Sequence, residues 1–233
     1  TPIQSGLIPL ALEENDVVGQ ARTGTGKTAA FLIPILELAE LDSKHRGPQA
    51  LILVPTRELA VQVKDEAEKL SKGLKLRSVA IYGGTPLRKQ VARLERGVDV
   101  VVGTPGRVLD HLSRRTLSLD RVECVVLDEA DRMLDVGFRP DMEKILRQCP
   151  DSRQTLLLSA TMPPPVQRLA QKYMKDPKTV NVSASDVTVE TIEQHYLTVD
   201  NQHKFDLLVR LLQRESPRQA IVFCRTKKGA QRI

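Results

Sequence analysis

The chain has 233 residues, 41% of them hydrophobic and 27% charged, with a formal net charge of +6. That length accommodates one large domain, or one domain and part of another; at this size roughly 70% of the unfolded surface is buried, so no disulfide staples are needed. No apolar run approaches the ~18 residues of a membrane span, which excludes a helical membrane protein over this stretch; the chain begins at Thr1, so the lack of a leader peptide carries no weight. The positive balance suits a polyanionic partner such as nucleic acid, and a mildly basic enzyme accounts for it equally well. Aromatics make up only 3%, with no Trp, so a nucleic acid would be gripped by phosphate and sugar rather than on stacking platforms. Cys124, Cys149 and Cys224 show no metal-ligand spacing. They point to a reducing compartment without disulfides or zinc, with Cys124 and Cys224 as buried thiols inside apolar runs. His45, His111, His195 and His203 are scattered and receive no chemistry.

Along the chain, short β-branched apolar runs predict strands over 16–20, 50–54, 76–82, 98–103, 122–127, 155–159 and 179–182. Most are continuous rather than alternating, as in parallel strands buried on both faces. Helical patterns fall between them, over 28–39, 57–72, 86–96, 131–148 and 163–174. The alternation predicts an α/β fold with a mostly parallel sheet and helices on both faces. A polar, aperiodic stretch, 183–191, reads as a linker. Beyond it come a strand (192–199), a helix (204–214), a strand (220–224) and the start of a helix. The domains expected are therefore 1–182, a whole α/β lobe, and 192–233, the N-terminal fragment of a second.

The strongest local signal is Gly19-Gln20-Ala21-Arg22-Thr23-Gly24-Thr25-Gly26-Lys27-Thr28, between an apolar strand and a helix. Gly24 and Gly26 permit a tight turn that turns successive N–H groups inward as an anion cradle, and the helix N-terminus adds its dipole. Lys27 would reach β- and γ-phosphates and the Thr28 hydroxyl would ligate Mg²⁺. Ala21 stands where the common pattern has its first glycine.

A phosphate loop needs a carboxylate at the end of a neighbouring strand. The run 122–127 ends in Asp128-Glu129-Ala130-Asp131, where ligands sit in such sheets. Asp128 reads as the Mg²⁺-holding acid, and Glu129 as the group that orients or deprotonates a water. Taken alone, the same string also serves as an acidic first turn that suits the next helix dipole.

Together these residues resemble the DEAD-box RNA helicase family. The resemblance covers essentially the whole chain, through Thr1-Pro2-Ile3-Gln4, the loop at Ala21 to Thr28, Pro55-Thr56-Arg57-Glu58-Leu59-Ala60, Gly83-Gly84, Thr104-Pro105-Gly106-Arg107, Asp128 to Asp131 and Ser159-Ala160-Thr161. Each string is weak alone; seven in order are specific. The resemblance implies a RecA-like first lobe, a P-loop NTPase core, with ATP and Mg²⁺ as cofactors and Gln4 reading adenine. It implies RNA contacts from Pro55, Thr56, Arg57, Gly84, Thr104, Pro105, Gly106 and Arg107. It makes Asp131, Ser159 and Thr161 the coupling between nucleotide state and unwinding. Other readings remain for single residues: an exposed helix position for Gln4, a structural ion pair for Arg107, and helix capping for Ser159 and Thr161.

The activity implied is RNA-stimulated ATP hydrolysis coupled to local duplex unwinding, in the cytoplasm, or in the nucleus for a eukaryotic chain. The alternative is an ATP-dependent RNA clamp that unwinds little. A P-loop GTPase would need an Asn-Lys-x-Asp string, and the chain has none; a DNA translocase would share the motifs. The family's later motifs, with their arginine fingers, do not occur, and its aromatic upstream of Gln4 would precede Thr1. The 233-residue piece is therefore expected to bind ATP weakly and not to unwind alone, to need a second lobe in cis, and to offer 192–233 for contact with a neighbouring molecule.

Overall fold

The computed structural model describes residues 1–40, 47–182, 193 and 195–233; the expected linker 183–191 and His45 lie outside these. The chain divides into two compact units, Thr1–Asp186 and Val187–Ile233.

The seven predicted strands of the first unit all form: β1 (Val17–Gln20), β2 (Ala50–Leu53), β3 (Ser78–Ile81), β4 (Val100–Gly103), β5 (Cys124–Leu127), β6 (Gln154–Ser159) and β7 (Lys178–Asn181). They make one sheet in the order β3-β4-β2-β5-β6-β1-β7, parallel at every pairing. Parallel neighbours require crossover connections, and helices supply them. The helices are α1 (Pro2–Leu12), α2 (Lys27–Leu38), α3 (Arg57–Leu70), α4 (Leu87–Glu95), α5 (Pro105–Ser113), α6 (Ala130–Asp135), α7 (Arg139–Leu146) and α8 (Pro164–Tyr173).

Side chains alternate between the sheet's faces, and each face has its own core. Val17, Ile52, Val102, Val126 and Leu158 pack with Ile3 and Leu7 of α1, Phe31 of α2 and Val63 of α3. Leu51, Leu53, Val101, Val125 and Leu157 pack with Val108 of α5, Met133 of α6, Met142 of α7 and Val166 of α8. An open parallel sheet covered on both faces by crossover helices is a RecA-like α/β architecture.

The predicted helix 131–148 is two helices. Gly137 takes φ +92°, and Phe138 N–H donates to the Met133 carbonyl at 3.0 Å, ending α6 with a left-handed cap. Pro140 then starts α7, where its missing N–H costs nothing. Helices α1 and α5 carry weaker sequence signals. Each opens on a proline in its first turn, after Thr1 and Thr104 respectively.

The second unit contains a 3₁₀ turn (Asn201–His203), α9 (Lys204–Glu215) and α10 (Lys227–Ala230). The predicted strands do not appear. Ile192 and Gln194 lie outside the described residues, and the rest of 192–199 and all of 220–224 have no regular structure. A strand persists only on a ladder, and the described residues of this unit offer no partner. Tyr196 and Phe223 are almost fully exposed, and Cys224 is only half-buried rather than a core thiol. Among the described residues, no helix is long and apolar enough to cross a membrane.

Gly103 closes β4 where α5 packs against the sheet. A Cβ there would lie 2.6 Å from Val108 Cγ2 and 2.8 Å from Ile81 Cγ1. Gly103→Ala is expected to cost about 1–3 kcal/mol in urea unfolding, the usual range for overpacking; an unchanged midpoint contradicts this packing.

Candidate nucleotide and nucleic-acid site

Sheet register brings distant motifs together. β5, β6 and β1 are adjacent, with Leu127 opposite Leu157 and Gln20 opposite Ser159. The segments that follow, 128–131, 160–161 and 21–28, therefore leave the sheet at one edge, at the C-terminal ends of its strands.

The loop from β1 to α2 is built as an anion cradle. Ala21 N–H donates to the Ser159 carbonyl at 3.0 Å, tying the loop to β6. Ala21 is buried and is not among the positive-φ residues, so the position needs no glycine. Gly24 and Gly26 do, at φ +81° and +93°. Thr25 Oγ1 donates to the Arg22 carbonyl at 2.7 Å and closes the turn; Arg22 and Thr23 are exposed. Gln4 reaches in from α1, its Nε2 donating to the Gly26 carbonyl at 3.1 Å, so it is a half-buried partner of the loop rather than a free helix residue.

Lys27 begins α2 with 6% exposure. Its Nζ is buried and has no hydrogen-bond partner among the described residues. Asp128, 3% exposed, lines the same cleft of about 540 Å³, together with Gly24, Thr28 and Glu129. Burial pushes the Asp128 carboxyl up to about 6, against the pull of Lys27 and with added repulsion from Glu129. An uncompensated ammonium and a reluctant carboxylate at one cleft fit a ligand that brings both anionic oxygens and a cation. Lys27 suits the former, and Asp128 with the Thr28 hydroxyl suits the latter.

Glu129 stands at φ +51°, ψ +49°, unusual for a side chain of its size. Its Oε2 accepts from Arg132 Nη1 at 3.0 Å. Arg132, Glu58 and Gln62 also line the cleft and were not singled out from sequence. Arg132 carried a signal in its i,i+3 spacing from Glu129, and Glu58 in its place in the Pro55 to Ala60 string. Below them, Asp131 N–H donates to Ser159 Oγ at 3.2 Å, while Thr161 donates to Asp131 Oδ2 through N–H (2.9 Å) and Oγ1 (2.8 Å). Burial pushes the Asp131 carboxyl up, but these donors and the Arg132 N–H hold it below the usual range.

A second group of motifs leaves the same edge farther along. Leu53 and Ile81 both lie opposite Gly103, so the segments after β2, β3 and β4 emerge side by side. Pro55 and Pro105 are buried and can only shape their turns. Thr56 caps α3, accepting from Leu59 N–H at 3.2 Å, and it also lines the Lys27 cleft. Arg57 is exposed and pairs with Glu58 at 2.6 Å. A Cβ on Gly84 would stand 3.8 Å from Arg57 Nη1, so those two segments touch. Thr104 N–H donates to the Ile81 carbonyl at 3.1 Å. Gly106 is exposed. Arg107 Nη1 donates to the Thr85 carbonyl and to Gln90 Oε1, both at 3.2 Å; its Nε is 3.8 Å from Asp110.

The family model for DEAD/DEAH box helicases matches residues 1–169. The chain belongs to the DEAD/DEAH box helicase family. It is 51% identical, over its whole length, to the ATP-dependent RNA helicase CshA of Listeria monocytogenes and to the DEAD-box ATP-dependent RNA helicase CshA of Geobacillus kaustophilus, covering 44% and 50% of those proteins. The chain thus spans about half the length of the curated relatives it matches. A crystal structure of a DEAD box protein from the hyperthermophile Methanococcus jannaschii superposes with a TM-score of 0.74 at 44% identity, over 100% of this chain and 62% of that one. That of a hypothetical ATP-dependent RNA helicase from Sulfolobus tokodaii gives 0.71 at 38% identity, over 78% and 52%.

The Asp128 shift has a stability consequence. Its folded pKa, about 6, exceeds the unfolded value near 4, so between those values the folded chain holds more protons and stability falls as pH rises. Asp128→Asn is expected to raise the unfolding free energy of the nucleotide- and metal-free chain by about 1–3 kcal/mol at pH 7.5, and by little at pH 4. A loss of stability at pH 7.5 contradicts the buried-carboxylate assignment.

Proposed function

We propose that this chain is the ATP-binding core of an ATP-dependent RNA helicase, with the opening of a second lobe in Val187–Ile233. The observation that carries the reading is the buried Lys27 Nζ, without a hydrogen-bond partner among the described residues, in the cleft that also holds buried Asp128. Residue roles follow from position. The N–H groups of the loop at Gly24 to Thr28 and the Lys27 ammonium bind the β- and γ-phosphates. Thr28 and Asp128 would hold Mg²⁺, which would neutralise charge on the phosphate oxygens. Glu129 orients or deprotonates the attacking water through the carboxylate oxygen that Arg132 leaves free. Gln4 reads adenine while bonded to Gly26, which ties base recognition to the phosphate loop.

RNA is gripped by its backbone along the segments after β2, β3 and β4, with Arg57, Gly84, Thr104, Gly106 and Arg107 as contacts. Backbone recognition implies weak sequence preference and steep salt dependence. The Asp131–Ser159–Thr161 cluster joins the ends of β5 and β6 and couples nucleotide state to RNA grip. The working compartment is the cytoplasm. The names of the relatives support the activity, and their greater length supports a second lobe supplied in cis.

In the full-length protein, Glu129→Gln is expected to lower RNA-stimulated ATPase turnover by at least about 10²-fold, with nucleotide affinity within a few-fold. Lys27→Ala is expected to weaken nucleotide binding itself. Full turnover in either variant, or equal stimulation by RNA and DNA of the same length, contradicts the reading. Strand displacement measured beside RNA retention separates an unwinder from a clamp.

A further inference from the structure

Gln90 and His111 lie outside every motif named so far, yet they are among the most deeply buried polar side chains, at 4% and 0% exposure. Gln90 sits on α4, and His111 on α5 beyond Arg107. The Gln90 amide uses its full hydrogen-bonding capacity. Nε2 donates to the Tyr82 carbonyl at 2.9 Å and to Thr85 Oγ1 at 2.5 Å. Oε1 accepts from Arg107 Nη1 at 3.2 Å and from His111 Nε2 at 3.0 Å. That orientation makes His111 an Nε2–H donor, and its Nδ1 faces Thr116 Oγ1 at 2.8 Å. Burial and the nearby Arg107 lower the imidazole pKa, which favours this neutral form.

The amide thus bridges two candidate RNA segments that share no sequence. On one side it fixes both ends of the Tyr82–Thr85 turn, which contains Gly83 and Gly84. On the other it holds one edge of the Arg107 guanidinium, whose Nη2 makes no hydrogen bond among the described residues. A planar guanidinium anchored on one nitrogen presents the other in a set direction, as phosphate recognition requires. A buried amide with every bond made tolerates no sliding of α4 against α5, since any shift leaves polar groups unpaired.

We propose that Gln90 and His111 are positioning residues for RNA: they hold Arg107 and the Gly83–Thr85 turn in one register, so that both meet the same backbone. This rests on the RNA reading of those segments given above. The test uses full-length protein and a fluorescein-labelled oligouridylate. Gln90→Met keeps the length of the side chain and removes both polar arms. It is expected to weaken RNA binding about tenfold, the worth of a hydrogen bond to a charged group, with RNA-free nucleotide affinity and ATPase within twofold. In an Arg107→Ala background the same change is expected to add no more than twofold, because the two act as a unit. His111→Gln, which can still donate to Gln90, is expected to stay within about threefold of wild type. Should Gln90→Met fail to fold, Thr85→Val removes one half-buried hydroxyl of the same network and is expected to weaken RNA about threefold. If Arg107→Ala weakens RNA binding while Gln90→Met, or Thr85→Val in its place, does not, the positioning role is overturned and the RNA reading stands. If the effects of Gln90→Met and Arg107→Ala multiply in full, the positioning role is likewise overturned. If neither the Arg107 nor the Gln90 change alters RNA binding, both ideas fall.

Discussion

A buried ammonium and a buried carboxylate share one cleft without bonding each other, and much else in the molecule is arranged around that fact. Lys27 and Asp128 come from α2 and the end of β5, about a hundred residues apart in sequence. Lys27 Nζ has no hydrogen-bond partner among the described residues, Asp128 Oδ1 accepts only from Glu129 N–H at 2.9 Å, and burying either charge is costly. The fold accepts the cost because the sheet is rigid: β1, β6 and β5 are locked in register by parallel ladders and by cores on both faces. A metal–triphosphate bound there would offset both charges.

The same register organises the second function proposed for the edge. β2 neighbours both β5 and β4, so the turn after β2 borders the Lys27 cleft, and the turns after β3 and β4 stand beyond it. Thr56 belongs to both places: it caps α3, leads into Arg57, and lines the Lys27 cleft. The Asp131–Thr161 bonds are a second link, between the acidic turn and the end of β6.

Six of the seven strands were legible in the sequence because buried parallel strands read as short apolar runs; β7, Lys178–Asn181, is largely exposed, and the apolar run of α2 was told from a strand by its length and by the phosphate loop before it. The break at Gly137 was written in the chain too, since Gly followed by Pro140 is a stop and a start, but an apolar period that continues through 131–148 masks it. Over the described residues of 192–199 and over 220–224 the expected strands do not form, for a non-local reason: a β pattern specifies a strand only where a partner exists. The loop, Lys27, Asp128 and Glu129 were legible as types at meaningful positions. Burial was not, and it is burial that makes Asp128 reluctant to ionise and leaves Lys27 Nζ alone. Gln90 and His111 were invisible because a buried amide and a surface amide look the same in sequence. Nor was the burial of Pro55 and Pro105 visible in the motifs they belong to.

The most direct test of the account is the anomalous scattering of Mn²⁺ in crystals of the protein grown with a non-hydrolysable ATP analogue. The account predicts one metal peak in contact with Thr28 Oγ1 and on the Asp128 side of the cleft, with the terminal phosphates against Lys27 Nζ. A peak elsewhere, such as the cavity at the opposite edge of the sheet beside Asp99 and Glu123, with the Lys27 cleft bare, would contradict it.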